Sequence, residues 1–230
     1  MTKISIIIPI FNECDFIGEL LNHLQENSSK ENIEDIIVVD GGSTDGSQSI
    51  VTKFKDVTLI ASEKGRAKQM NTGARKAKGA ILYFLHADAF PPKNFDQLII
   101  DEVVQGNKAG CFRMQFDSNH WWLKLASWLT QFNWRPCRGG DQSLFITKAL
   151  FQDIGGYNED YIIYEDNILI NELYRRRQFV VINKKIKTSA RLYKKIGVWR
   201  LQYLFIRIYI KRWLGASAEE LYTYYKNNIT

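Results

Sequence analysis

Residues 81–90 read ILYFLHADAF. A strand-forming run of this kind, buried on both faces, should close in turn residues. This one ends instead on an imidazole and a carboxylate, His86 and Asp88, one residue apart. Working outward, apolar runs and helical patterns alternate upstream. ISIII (4–8) precedes a helix over about 15–26, and DIIVVD (35–40) precedes one near 46–54. VTLIAS (57–62) precedes one near 66–78 and then the strand AILYFLHA (80–87). Such alternation predicts βαβ units, hence an α/β fold with a mostly parallel central sheet flanked by helices. Ligands of such sheets sit beyond the carboxyl ends of the strands. That rule gathers three stretches on one edge: PIFNE (9–13), DGGSTDGS (40–47) and HADAF (86–90).

Downstream the pattern loosens. A helix is expected over about 92–105, a strand over AGCFRMQF (109–116), a helix through WWLKLASWL (121–129), a helix ending near Arg177 and a strand at FVVI (179–182). Residues 1–190 read as one domain and 191–230 as a basic, aromatic helical tail.

The chain has 230 residues, 45% hydrophobic and 24% charged, which is the composition of a soluble globular protein. The opening MTKISIIIPIFNE has an apolar run too short for a signal-peptide core, so a cytoplasmic location is expected. Cys14, Cys111 and Cys137 form no CxxC pair, and His23, His86 and His120 are scattered. A disulfide framework, a zinc site and an HExxH helix are thereby excluded. The net charge of +6 is uneven: between Glu172 and Glu219 there is no acidic residue, while lysines and arginines are frequent. Such a stretch is either a solvated basic face or a surface for an anionic partner.

DGGSTDGS joins glycines, hydroxyls and two aspartates between a buried strand and a helix, which serves either a simple turn or close backbone approach to a ligand. Asp40, at the last strand position, is placed to accept a hydrogen bond from a base N–H or a ribose hydroxyl. Neither GxGxxG nor GxxxxGK[ST] occurs, so a bound nucleotide would need its diphosphate neutralised by other means. A divalent cation, Mg or Mn, held by Asp88 meets that need, since hard cations bind carboxylate and phosphate oxygens together. His86 is either a second ligand, acceptable to manganese more than magnesium, or a packed histidine.

ISIIIPIFNE, DIIVVDGGSTDGS, KGRAKQMNTGARKAKGAILYFLHAD, GGDQSLFITKALFQDIGGYNED and YEDNILINELYRRR, in this order over about residues 3–190, resemble the family 2 glycosyltransferases. The HAD and GDQ variants are similar to a short, single-domain bacterial subgroup. The resemblance implies a GT-A nucleotide-sugar-binding fold. It implies that Pro9, Phe11 and Glu13 surround the base and ribose, that Asp40 binds the base and that Arg66 lies near the nucleotide. It also makes Asp88 the last aspartate of a metal-binding DxD motif whose first position is His86 here. Glu165 and Asp166 match a motif in which a carboxylate is the catalytic base. The expected activity is inverting, metal-assisted transfer from a nucleoside-diphosphate sugar to an acceptor hydroxyl.

That chemistry requires a base, a cation at the leaving diphosphate and no nucleophilic Ser-His pair. Glu165 and Asp166 also suit a plain helix start, and the GGDQ stretch, with Asp141 and Gln142, suits either an acceptor wall or a structural turn. The alternatives are a nucleotidyltransferase, which would want a glycine-rich first loop where PIFNE stands, and a non-catalytic basic protein at a membrane surface. No zinc finger or RNA-binding motif supports a nucleic-acid partner. In the tail, VWRLQYLFIRIYIKRWLG (198–215) carries too many charges to span a bilayer comfortably. It suits a helix at the inner face of the membrane serving a lipid-linked acceptor, a homodimer contact, or a cover for the domain's own core.

Overall fold

The computed structural model describes residues 2–229. Four parallel strands are joined by helices in the expected order: β1 (Ile4–Ile10), α1 (Cys14–Asn27), β2 (Ile33–Asp40), α2 (Ser47–Val51), β3 (Val57–Ala61), α3 (Arg66–Lys76) and β4 (Ile81–Phe84). There follow β5 (Ala89–Phe90), α4 (Phe95–Val104), β6 (Ala109–Phe116), α5 (Trp121–Leu129), β7 (Leu144–Thr147), α6 (Lys148–Ile154), α7 (Glu165–Arg175) and β8 (Val180–Thr188). The sheet order is β3-β2-β1-β4-β7-β6-β8-β5. β7 runs antiparallel to β4 and β6, and β5 antiparallel to β8, while the other pairings are parallel.

Alternation along β1 explains why the sheet is covered twice. Ile4, Ile6, Ile8 and Ile10 enter the core shared with α1, whereas Ile7 enters the one shared with α3 and α7. In α1 the buried residues Ile17, Leu20, Leu21 and Leu24 recur at helical spacing on one face. Each such side chain, fully buried, contributes about 1.5–3 kcal/mol. α3 sits so close to the sheet that a methyl on Gly73 would lie 2.5 Å from Ile7 Cγ2.

Three boundaries differ from expectation. The strand expected over 80–87 stops at Phe84, so His86 and Asp88 lie in a loop between β4 and β5. α2 covers only Ser47–Val51. The strand expected over 179–182 continues to Thr188, because Ile182 and Ile186 stay in the core while the intervening lysines face outward, with a bulge in register opposite Phe112 and Arg113.

The tail forms three helices, α8 (Arg191–Ile196), α9 (Val198–Trp213) and α10 (Ala218–Asn228). Ser217 and Glu220 make a reciprocal capping box at the start of α10. Leu201, Leu204 and Ile208 of α9 bury against Leu221, Ile229 and the segment Tyr161, Ile163 and Tyr164 that leads into α7. One face of the tail therefore covers the domain's own chain.

Candidate active site

β2, β1 and β4 are parallel neighbours, so their carboxyl ends deliver three loops to one edge. The first two loops are laced together. Asn12 N–H donates to Ser43 Oγ at 2.9 Å, Thr44 N–H to Asn12 Oδ1 at 2.8 Å, and Cys14 N–H to Asp45 Oδ2 at 2.9 Å. Beneath them Gln69 of α3 is buried, its amide N–H donating to Ile10 O at 2.7 Å and Val39 O at 2.8 Å. Gln69 thus ties the ends of β1 and β2 together.

Asp40 is buried and accepts hydrogen bonds from Gly42 N–H, Ser43 N–H and the Gln48 amide. Burial alone would raise its pKa, but the Ser43, Gln48 and Gly42 donors outweigh that and hold it below the ordinary carboxylate value. Phe11 is exposed with Lys64 Nζ 3.6 Å above its ring, while Pro9 is buried within β1 opposite Val39. Of the expected base-site residues, Pro9 therefore supports the wall from within.

Glu13 and Asp88 meet through a residue that the sequence did not single out for the site. The two terminal guanidinium nitrogens of Arg191, at the start of α8, donate to Glu13 at 2.7 Å each. Arg191 Nε lies 3.2 Å from Asp88 Oδ2, and the guanidinium stacks 4.9 Å from the Phe16 ring centroid. Burial pushes the Asp88 carboxyl up to about 6, against the pull of Arg191.

The second half of the cleft is acidic and largely enclosed. Glu165 and Asp166 are the first residues of α7, both buried, and Tyr164 before them has a left-handed φ of 71°. Arg66, at the first position of α3, approaches Glu165 with Nη1 3.3 Å from Oε1. It therefore faces this pair, and its charge also reaches His86 on the HAD loop. Burial and then the Glu165 charge raise the pKa of Asp166, with Arg66 opposing. Glu165 is raised by burial, with Arg66 again opposing. Among the described residues no side chain or backbone donor bonds the Asp166 carboxylate, so its oxygens remain available to a ligand.

Gly140 brings the two ends of the cleft together. A methyl there would lie 1.9 Å from Asp166 Oδ2 and 3.2 Å from His86 Nε2. Only a hydrogen fits where the HAD loop, the GGDQ loop and α7 converge. His86 is pushed down to about 3 by burial and by the nearby Arg66 and Arg191, so its imidazole is neutral. Asp141 is reached by solvent, yet enough protein surrounds it to raise its pKa, against Arg66 and Arg191. Gln142 is different. It is buried, accepts from Arg138 Nη1 at 2.7 Å and donates to Cys137 O at 2.6 Å. Its amide anchors the loop from inside. Arg138, itself buried, also donates to Thr130 O and Phe132 O at 2.6 Å each, which fixes this loop against the end of α5.

No three His, Cys, Asp or Glu side chains among the described residues form a ready-made metal cage. The donor set nevertheless fits a hard cation bound jointly with a ligand. Asp88 offers an oxygen from a partly open position, the unprotonated His86 stands on the same loop, and carboxylates outnumber the two arginines of the cleft.

Residues 5–179 match the family described as Glycosyl transferase family 2. The chain belongs to that family. It is 40% identical over 235 residues to an uncharacterized glycosyltransferase of Haemophilus influenzae, covering 90% of this chain and 89% of that one. It is 32% identical over 94 residues to the glycosyltransferase AglE of Haloferax volcanii, covering 38% of this chain and 31% of that protein, so it spans about a third of that relative's length. In structure it resembles the mannosyltransferase PcManGT of Pyrobaculum calidifontis, solved in complex with GDP-Man and Mn2+, with a TM-score of 0.70 at 20% identity, over 94% of this chain and 66% of that one. This family 2 glycosyltransferase accordingly has the GT-A fold, and the nucleotidyltransferase and non-catalytic alternatives fall away.

Proposed function

We propose that this enzyme transfers a sugar, with inversion, from a nucleoside diphosphate to an acceptor hydroxyl, with Asp166 as the base. One observation carries the reading. A buried carboxylate with a raised pKa and, among the described residues, no donor bonded to it stands across Gly140 from the HAD loop, on the edge where β1, β2 and β4 end. A base needs these properties, because a carboxylate saturated by protein donors is too weak to take a hydroxyl proton.

In the reaction Asp166 accepts the proton of the acceptor hydroxyl as that oxygen bonds to the anomeric carbon. The bond from that carbon to the diphosphate oxygen breaks on the opposite side, and the electron pair leaves with the diphosphate. Glu165, held by Arg66, stands beside Asp166, and its charge helps to raise the pKa of Asp166. Asp40 and Phe11 flank the nucleoside, and Asp141 is the carboxylate best exposed to an acceptor. Asp88, with His86 beside it, would hold a divalent cation. When bound, the cation would offset charge on the departing diphosphate. PcManGT, whose structure holds GDP-Man and Mn2+, supports a nucleoside-diphosphate sugar and such a cation here.

The test is a donor-hydrolysis screen across nucleoside-diphosphate sugars with and without Mn2+, paired with calorimetric binding of the same compounds. Expected is metal-dependent binding of one nucleotide class and slow hydrolysis that Asp166→Asn removes. If no member of the panel binds with or without the metal, the reading fails.

A further inference from the structure

We infer that helices α5 and α9 together form a docking surface for an anionic bilayer. α9 is apolar on two faces. Its inner face, Leu201, Leu204 and Ile208, is buried in the tail's small core. On the opposite side Trp199, Tyr203, Ile206, Ile210 and Trp213 recur at alternating spacings of four and three, all exposed, Trp213 to 84%. A helix that only covers its own domain carries polar residues on its outer face. Five large apolar residues in one solvent-facing stripe call for a partner.

α5 extends the stripe. Trp121, Leu125 and Trp128 share one face at helical spacing and are exposed, Trp121 to 61%. The Trp121 and Trp199 rings meet at 5.7 Å between centroids, with Trp122 5.5 Å from Trp199, so the two stripes are continuous.

Charge selects the occupant. On the α9 wheel Arg200, Arg207 and Lys211 lie together on one flank, between the buried and the exposed apolar faces. No acidic residue occurs from 173 to 218, and of the neighbouring helix's carboxylates Glu220 feels the charge of Lys211. Arg207 donates to Tyr203 Oη at 2.8 Å, which holds a cation at the edge of the stripe. A second copy of this chain would set these cations against one another, whereas anionic headgroups complement them. Tryptophan and tyrosine beside arginine and lysine are the residues that settle at a bilayer interface, rings at headgroup depth and charged tips in water. No helix of the described residues is long and apolar enough to cross a membrane, so α9 lies in the interface plane.

The inference is independent of the assignment of Asp166. Flotation of the full chain with vesicles of phosphatidylcholine, alone or mixed with phosphatidylglycerol, tests it. The parent chain should float at least about tenfold better with the anionic vesicles. Each cation near the surface is worth about fivefold, so Arg200→Gln with Lys211→Gln should cost about 25-fold. Ile206→Ser with Ile210→Ser should abolish flotation while leaving the circular-dichroism melt unchanged, and Trp213→Ser should weaken flotation should that pair disturb folding. Equal flotation on both vesicle types, or none, overturns the inference. So does a dimer in light scattering that Ile206→Ser with Ile210→Ser converts to monomer, because the stripe would then be a subunit interface.

Discussion

Asp166→Asn should make the protein more stable and nearly inactive at once. The side chain is 9% exposed, has Glu165 beside it, and is countered by a single nearby guanidinium, Arg66, which is itself paired to Glu165. Burial and the Glu165 charge hold its folded pKa above the unfolded value. The sign follows from linkage. Below the unfolded pKa, about 4, both states are protonated and the group contributes nothing. As pH rises further the unfolded chain loses its proton first, so the parent loses stability until the raised folded pKa is passed. The amide has no such loss. Removing an incompletely compensated buried charge typically changes stability by about 1–3 kcal/mol, which for a chain of this size corresponds to roughly 2–12 °C in melting temperature. The gain should therefore be absent near pH 4, grow up to the folded value of about 8 and be full only above it. Activity should fall by about 10²- to 10⁴-fold, the usual contribution of a positioned base, with nucleotide affinity unchanged because the amide keeps the carboxylate's shape. Thermal melts across pH 4–9 beside a transfer assay read both effects. Transfer within a few-fold of the parent would end the assignment of the base. A variant no more stable than the parent at pH 8 would show that the carboxylate is not the destabilised group. Glu165→Gln is the control, and an inactive Gln variant with an active Asn variant would move the role to Glu165.

Asp88→Ala should remove Mn2+-dependent nucleotide binding in calorimetry, and His86→Ala should weaken it less; equal affinity in Asp88→Ala and parent would contradict the cation site. Arg66→Met removes the cation that lowers the Asp166 pKa, so the acid limb of the pH–rate profile should move to higher pH and transfer at pH 7 should drop by about tenfold or more. Gly140→Ala forces a methyl to within 1.9 Å of where Asp166 Oδ2 stands and 3.2 Å from His86 Nε2, so transfer should fall by about 10²-fold or more while metal-independent nucleoside binding, made at the loops of Asp40 and Phe11, persists in calorimetry.

Much of this was legible because a parallel sheet turns a one-dimensional pattern into a place. Apolar runs ending in Asp40 and, a short loop beyond Phe84, in His86 and Asp88 announce the carboxyl edge on which their side chains gather. Contacts closed by distant parts of the chain carry no such signal. Arg191 reaches Glu13 across 178 positions, and SARLY resembles any basic segment. Gln142 looked outward in sequence because GGDQ reads as a polar loop, yet the buried Arg138 four residues earlier draws its amide inward. Gln69 carries no such signal either, one of two buried amides in α3 with Asn71, and only the fold shows that it is the one that reaches the strand ends.

The tail shows most clearly why pattern alone stops short. In α9 two apolar stripes are superposed on one sequence, and periodicity cannot tell the buried stripe from the exposed one, since Leu201 and Trp199 carry equal weight in it. What separates them is the partner. Leu221 of α10 and Tyr161 before α7 meet one stripe, whereas the other stays exposed and meets the α5 rings of Trp121 and Trp122 through Trp199. The buried stripe also binds the tail to the chemistry. Tyr209 Oη lies 3.3 Å from Asn167 Oδ1, next to Asp166, while Arg191 at the head of α8 holds Glu13 and Asp88. Helices α8 and α9 thus touch both ends of the cleft, and a surface that seats α9 also bears on the residues proposed to hold the cation and the base.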